Sequence, residues 1–282
     1  PVARPQKVVQ FAALPRDPDR DAALVEVHHP ERSRSEIVLA PEVQARIERI
    51  VEEFRAQGSL ARHGLTPKSR LLFVGPPGCG KTLCAEILAG ELGLDLLHAR
   101  FDGIVSSYLG ETANNLRRVF GYASQQRAVL FFDEFDALGK RRDDPQEVGE
   151  LKRVVSSFLQ ILDAHPRDRM VIAATNHEGM LDDALWRRFD EILHFGRPSA
   201  SQLVELMDLR LQSVRKRGVD LASFAKEMAG FSYADAERVC LEATKAMILR
   251  GLKEMTPELL DKELGEQRAR LALATGSMGQ RP

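Results

Sequence analysis

The sequence predicts an α/β fold: a doubly wound parallel sheet in a large domain, followed by a small all-helical domain. Three observations carry that prediction. The apolar runs Leu71–Val74, Val129–Phe132 and Met170–Thr175 show no polar alternation, as expected of strands buried on both faces. Helical patterns separate these runs, which is the order of parallel crossover units. From Ser201 to about Leu273 only helical periodicity remains, with breaks at Gly218, Gly230 and Thr256-Pro257.

Composition sets the limits. A chain of 282 residues suits one large domain plus a small one. Hydrophobic residues at 44% and charged residues at 29% describe an ordinary globular protein. A net charge of −1 argues against broad electrostatic capture of nucleic acid or of an anionic membrane. No apolar run approaches the roughly 20 residues of a membrane span. Pro1-Val2-Ala3-Arg4-Pro5 lacks a signal-peptide core. Cys79, Cys84 and Cys240 have no metal-ligand spacing and fit a reducing compartment. The expectation is a cytoplasmic protein with no nucleic-acid or membrane partner.

Residues 1–35 are rich in Pro, Arg and Asp, with short apolar bursts at Val8-Val9 and Ala23–Val27. They predict an extended arm with one or two short strands, which packs on a neighbour, recruits a partner or serves as a tether. Residues 36–197 form the α/β domain. There Pro41 opens a helix through about Gln57, with Val43, Ile47, Ile50, Val51 and Phe54 on one face. A helix runs from Lys81 to about Leu92, then a strand over Leu94–Arg100 and a loop over Gly103–Gly110. Glu111 to about Gln126 is a helix with Leu116, Val119 and Phe120 inward. The strand Val129–Asp133 leads to a charged loop at Lys140–Asp144. A helix follows over Glu150 to about Leu162, and then the strand Met170–Thr175. Residues 198–273 form the helical domain, in which Thr256 is a good N-cap and Pro257 a good first helical residue. Residues 274–282 are expected to be a disordered tail.

The chemistry starts at Gly75-Pro76-Pro77-Gly78-Cys79-Gly80-Lys81-Thr82, set between a strand and a helix. Glycines let backbone N–H groups turn toward one point, and the positive end of the new helix faces the same spot. Lys81 is placed to reach β- and γ-phosphates, and Thr82 to hold Mg²⁺. Phe131-Phe132-Asp133-Glu134 delivers two carboxylates at the end of a buried strand. Asp133 would hold Mg²⁺ through water, and Glu134 would polarise the attacking water. Asn176 ends the next strand, where an amide can orient that water. Arg187-Arg188-Phe189-Asp190 follows, and a guanidinium fork matches phosphoryl oxygens.

These four motifs, in this order and spacing, resemble the AAA ATPases of the single-module type over roughly residues 36–250. The resemblance implies a ring, a hexamer, with ATP at subunit interfaces. It casts Pro77, Gly78, Cys79, Gly80, Lys81, Thr82 and Leu83 as Walker A contacts to nucleotide, and Asp133 and Glu134 as Walker B. Asn176 becomes sensor 1, and Arg187 and Arg188 become arginine fingers offered to a neighbour. Ile37-Val38 falls where the family's adenine pocket begins, with Val38 as the expected contact. Gly230–Asp235 is similar to the signature of the family's helical lid, with Ala234 near the nucleotide. Tyr233 stands there in place of the usual glycine, either stacking on nucleotide, tilting the lid or packing within it. Tyr108-Leu109-Gly110 sits where the family places its pore loop, an aromatic–hydrophobic–glycine step that grips polypeptide.

Absences narrow the reading. His177-Glu178-Gly179-Met180-Leu181 lacks the second histidine of a zinc-protease motif. Gly279-Gln280-Arg281-Pro282 lacks the hydrophobic–Tyr–X ending of proteasomal ATPases, and no microtubule-interacting helical domain is expected in the arm. No Asn-Lys-X-Asp motif supports a GTPase, and a small-molecule kinase is equally disfavoured. The expectation is an ATP-hydrolysing, ring-forming remodeller or unfoldase acting on a polypeptide, with any protease supplied as a separate chain. The alternative is an ATP-controlled regulatory scaffold that recruits or activates a partner enzyme without threading.

Overall fold

Val25–His28 (β1), Arg70–Val74 (β2), Asp95–Ala99 (β3), Ala128–Phe132 (β4), Val171–Thr175 (β5) and Glu191–His194 (β6) form one six-stranded sheet in the order β1-β3-β4-β5-β2-β6. The computed structural model describes residues 13–18, 20–105, 109–135, 145–177 and 186–276. β3, β4 and β5 pair in parallel, with Leu97 opposite Leu130 and Phe132 opposite Ala173. β1 joins the edge antiparallel to β3, Val25 opposite Ala99. All five residues of β2, β4 and β5 are buried, which is why their sequences carry no alternation.

The described residues divide into two compact units. The first draws on Pro1–Glu31, Arg49–Phe73 and Ala85–Leu193, and the second on Arg32–Glu48, Val74–Cys84 and His194–Pro282. Helices Pro41–Arg55 (α1), Gln57–Arg62 (α2), Lys81–Leu92 (α3), Phe101–Ile104 (α4), Leu109–Gln125 (α5) and Pro145–Ala164 (α6) intersperse the strands. Ala200–Arg210 (α7), Leu221–Glu227 (α8), Tyr233–Leu249 (α9) and Pro257–Gly276 (α10) follow the sheet.

The core of the first unit is aromatic. Phe132 stacks on Phe120 of α5 at 5.4 Å and meets Phe158 of α6 edge-on at 5.2 Å, and Phe135 lies 4.7 Å from Phe158. These contacts fix the strand that ends at Asp133. In the second unit Leu203, Leu206, Met207, Phe224, Val239 and Leu260 form an apolar core with neighbours from all four late helices. No helix among the described residues is long and apolar enough to cross a membrane.

Several boundaries differ from the sequence expectation. Leu24 and Val25 are fully buried, and Asp17 at 2% exposure accepts from Asn115 Nδ2 at 3.0 Å, so residues 13–31 are built into the first unit. Val8-Val9 lies outside the described residues, as does the charged loop Lys140–Asp144. Gly103 and Ile104, expected in a loop, belong to α4. Ile104 is fully buried, and a Cβ on Gly103 would come within 3.2 Å of the Ala23 carbonyl. α6 begins at Pro145, an N1 proline, rather than at Glu150. α10 continues to Gly276, three residues past the expected end. β6 has no counterpart in the sequence reading. It is only four residues long, and Leu193 alone is buried, so the run is too short for a period to register.

His165, just past α6, is 7% exposed and packs edge-on against Phe120 at 5.3 Å. Burial, reinforced by Arg70 and Arg169, pushes its imidazole down to about 4. Above pH 6.5 the ring is neutral folded or unfolded and contributes no pH dependence. Between 6.5 and about 4 the unfolded chain takes the proton first, so stability falls as pH falls. Thermal melts from pH 7 to 4.5 should show this loss, of the order of 1–3 kcal/mol. His165→Gln should flatten that part of the profile, and an unchanged slope would refute the assignment.

Candidate functional site

β2 is apolar to its last residue, and its end carries the chain straight into Gly75. Gly75 has φ 149° and Gly78 φ 75°, values that side chains disfavour. Space excludes them as well. A Cβ on Gly75 would stand 2.0 Å from the Phe195 carbonyl oxygen, and one on Gly78 would stand 2.7 Å from Ser232 Oγ. α3 then starts at Lys81, so its first N–H groups, which have no partner inside the helix, open onto the loop.

Lys81 is 6% exposed, and its Nζ donates to the carbonyls of Gly75 at 2.7 Å and Pro76 at 3.0 Å. A buried ammonium must be compensated, and here the loop's own oxygens do it. Phosphoryl oxygens are the natural replacement for those carbonyls. Thr82 and Leu83 are half-buried on the first turn of α3, whereas Pro77 and Gly78 are exposed. Cys79 is buried, and that burial pushes its thiol up, against the pull of Lys81 and Arg197. It is a packed thiol rather than a reactive thiolate.

The first turn of α9 sits on this loop within the same unit. Ser232 caps the helix, with Asp235 returning the bond, and the Ala234 N–H donates to the Gly78 carbonyl at 3.1 Å. Ala234 is thus at the loop. Tyr233 is half-buried against the helical core, and its hydroxyl is pushed up to about 12 by burial, with Cys79 and Glu205 adding to the shift.

Val38 buries its side chain in the helical core, at 5% exposure. The side chain that reaches the loop is that of Ile37, whose Cδ1 lies 3.7 Å from where a Cβ on Gly80 would stand. The contact expected of Val38 is thus taken in this structure by its neighbour Ile37, while Val38 packs in the core.

In the first unit, Asp133 and Glu134 follow β4, and Asn176 follows Thr175, the last residue of its parallel neighbour β5. Glu134 is exposed and has φ 49°, one of two positive values at non-glycine residues among those described. Its N–H donates to Asp133 Oδ1 at 2.8 Å, which turns the chain sharply after the strand. Thr175 is fully buried and its Oγ1 accepts from His177 N at 3.1 Å, a turn that leaves Asn176 half-buried at the strand end. His98 on β3 packs 5.3 Å from Phe131, and burial lowers its imidazole, against the pull of Asp133.

Arg187 is exposed and has no ion pair among the described residues. Arg188 pairs with Asp163, at the end of α6, which also accepts from Arg70 Nη1 at 3.3 Å. Asp190 accepts from the Ser69 and Arg70 N–H groups at 3.0 and 2.9 Å and so ties the arginine segment to the start of β2. Neither Asp163 nor Arg70 was marked by the sequence, because pairs so distant along the chain leave no local signal. Tyr108 lies outside the described residues. Leu109 opens α5, and Gly110 is exposed on its first turn.

The model of the ATPase family associated with various cellular activities (AAA) matches residues 71–197. An uncharacterized AAA family ATPase, y4kL, of Sinorhizobium fredii is 45% identical over 255 residues, 90% of this chain and 77% of that protein. The ATP-dependent zinc metalloprotease FtsH 3 of Sphaerobacter thermophilus is 33% identical, over 86% of this chain and 51% of the relative. The proteasome-activating nucleotidase of Pyrococcus horikoshii is 34% identical, over 75% and 56%. The chain spans about half the length of these last two relatives. The chain belongs to the AAA family and is an ATPase.

Proposed function

We propose that this ATPase assembles into a ring, a hexamer, and uses hydrolysis to move a pore loop along a polypeptide. The observation that carries the reading is the phosphate loop: glycines at positive φ with no room for a Cβ, and a buried lysine whose Nζ donates to the Gly75 and Pro76 carbonyls, which phosphoryl oxygens can replace. Lys81 and the N–H groups of Gly78 to Thr82 bind the triphosphate. Glu134 activates water and Asn176 orients it. Arg187 acts on the nucleotide of the neighbouring subunit, and Arg188, paired with Asp163, steadies the segment that presents it. Thr82 and Asp133 are hard oxygen donors of the kind that Mg²⁺ takes, and they would hold it. Bound with ATP, the ion neutralises charge on the phosphoryl oxygens.

Relatives named as a proteasome-activating nucleotidase and as an ATP-dependent zinc metalloprotease support work on polypeptides, and the first of these names supports a separate protease as partner. The decisive experiment for ATP binding is Lys81→Ala. It should abolish binding of a fluorescent ATP analogue and all hydrolysis while leaving the melting temperature of the nucleotide-free protein within a few degrees. Retained binding would refute the cradle. Tyr108→Ala separates threading from scaffolding. ATPase activity should persist while unfolding of a tagged model protein stops. Unfolding at the parent rate would favour a scaffold.

A further inference from the structure

A partly buried hydrogen-bond chain in the second unit runs from α10 to the phosphate loop. Gln267 is 6% exposed, and its Nε2 donates to Asp235 Oδ1 at 2.8 Å. The other carboxylate oxygen, Asp235 Oδ2, accepts from the Ser232 N–H at 3.0 Å and from the Ser232 hydroxyl at 2.6 Å. That hydroxyl lies against Gly78, 2.7 Å from where a Cβ would stand, and the Ala234 N–H holds the Gly78 carbonyl at 3.1 Å.

Capping α9 does not require Gln267. A capping box is complete with two residues. α7 has one, formed by Ser199 and Gln202. The additional buried amide on Asp235 has a different consequence: it fixes the carboxylate plane from the side away from Ser232. Once that plane is fixed, so are the Ser232 hydroxyl and the first turn of α9, and with them the Gly78 carbonyl. A trans peptide is planar, with C=O and N–H pointing in opposite directions. Holding the Gly78 oxygen against Ala234 therefore aims the Cys79 N–H the other way, as a donor for a phosphoryl oxygen.

We propose that Gln267 is a positioning residue for the phosphate loop, acting through Asp235, Ser232 and Gly78. This rests on the reading of Gly75–Thr82 as the phosphate cradle. The residues that act on water stand elsewhere in the chain, so loss of Gln267 weakens nucleotide binding and leaves turnover at saturation in place.

The test uses the full chain, with 2′/3′-methylanthraniloyl-ADP as the binding probe. Gln267→Leu should raise the probe Kd and the KM for ATP roughly tenfold, with kcat held within about twofold. Gln267→Glu sets two carboxylates together and should do the same. The swapped pair Asp235→Asn with Gln267→Glu keeps both shape and hydrogen bond, and should restore the Kd. That pair also decides the question where Gln267→Leu fails to fold. An unchanged Kd in Gln267→Leu and Gln267→Glu, or no recovery in the swapped pair, overturns the proposal. Lys81→Ala separates the premises. If it abolishes probe binding while the Gln267 variants bind normally, only the Gln267 role falls. If it binds normally, the cradle reading falls and takes the proposal with it.

Discussion

Replacing Glu134 by glutamine is expected to lower kcat by about 10²–10⁴ while ATP stays bound. Glutamine keeps the shape and loses the charge, so it can still accept a hydrogen bond but no longer polarises water. Bound ATP should accumulate, visible as intact triphosphate co-eluting with the variant, and KM should hold or fall. The backbone supports a functional role for this position. Glu134 sits at φ 49°, anchored by its N–H on Asp133 Oδ1. A non-glycine residue there costs on the order of 1 kcal/mol, and such strain persists where it aims a side chain. Glu134→Gly gives the complementary result: the same loss of rate with no loss of stability, because glycine adopts that φ without strain. A glutamine variant that hydrolyses ATP at near the parent rate would exclude Glu134 as the activating group.

The parts of the molecule that follow from local rules were legible in the sequence. β2, β4 and β5 could be read because strands buried on both faces must be apolar throughout. The phosphate loop was legible because its backbone requires glycine at Gly75 and Gly78. The inward face of α1 was correct at all five positions, Val43 to Phe54. What escaped depends on pairings that no local pattern encodes. β1 belongs to the sheet only because β3 offers it an edge. Ile37 and Val38 are adjacent and both apolar, so nothing local shows that Ile37 faces the loop and Val38 the core. Asp163 meets Arg188 across 25 residues, and Gln267 meets Asp235 across 32. Their chemistry is ordinary until the fold brings them together.

The two arginines are expected to separate in kinetics, although sequence alone treats them as equals. Arg187→Ala should lower kcat by about 10³–10⁵, the range of trans-acting arginines in other NTPases. Arg188→Ala should lower it distinctly less. The reason lies in their partners. Arg187 is exposed, without an ion pair among the described residues, and can extend to a neighbour's phosphate. Arg188 would first have to leave Asp163, a carboxylate it shares with Arg70, which is 4% exposed. On this account Arg188 steadies the segment that presents Arg187, and Asp163→Asn should resemble Arg188→Ala in kcat. Complementation tests the trans arrangement. Subunits carrying Arg187→Ala keep their own cradle and Glu134. Subunits carrying Glu134→Gln bind ATP and still offer Arg187. Each alone should be nearly inactive, yet a mixture should recover hydrolysis, since a Glu134→Gln subunit lends its arginine to the intact site of its neighbour. A mixture no faster than its components would mean that Arg187 does not act across a subunit interface.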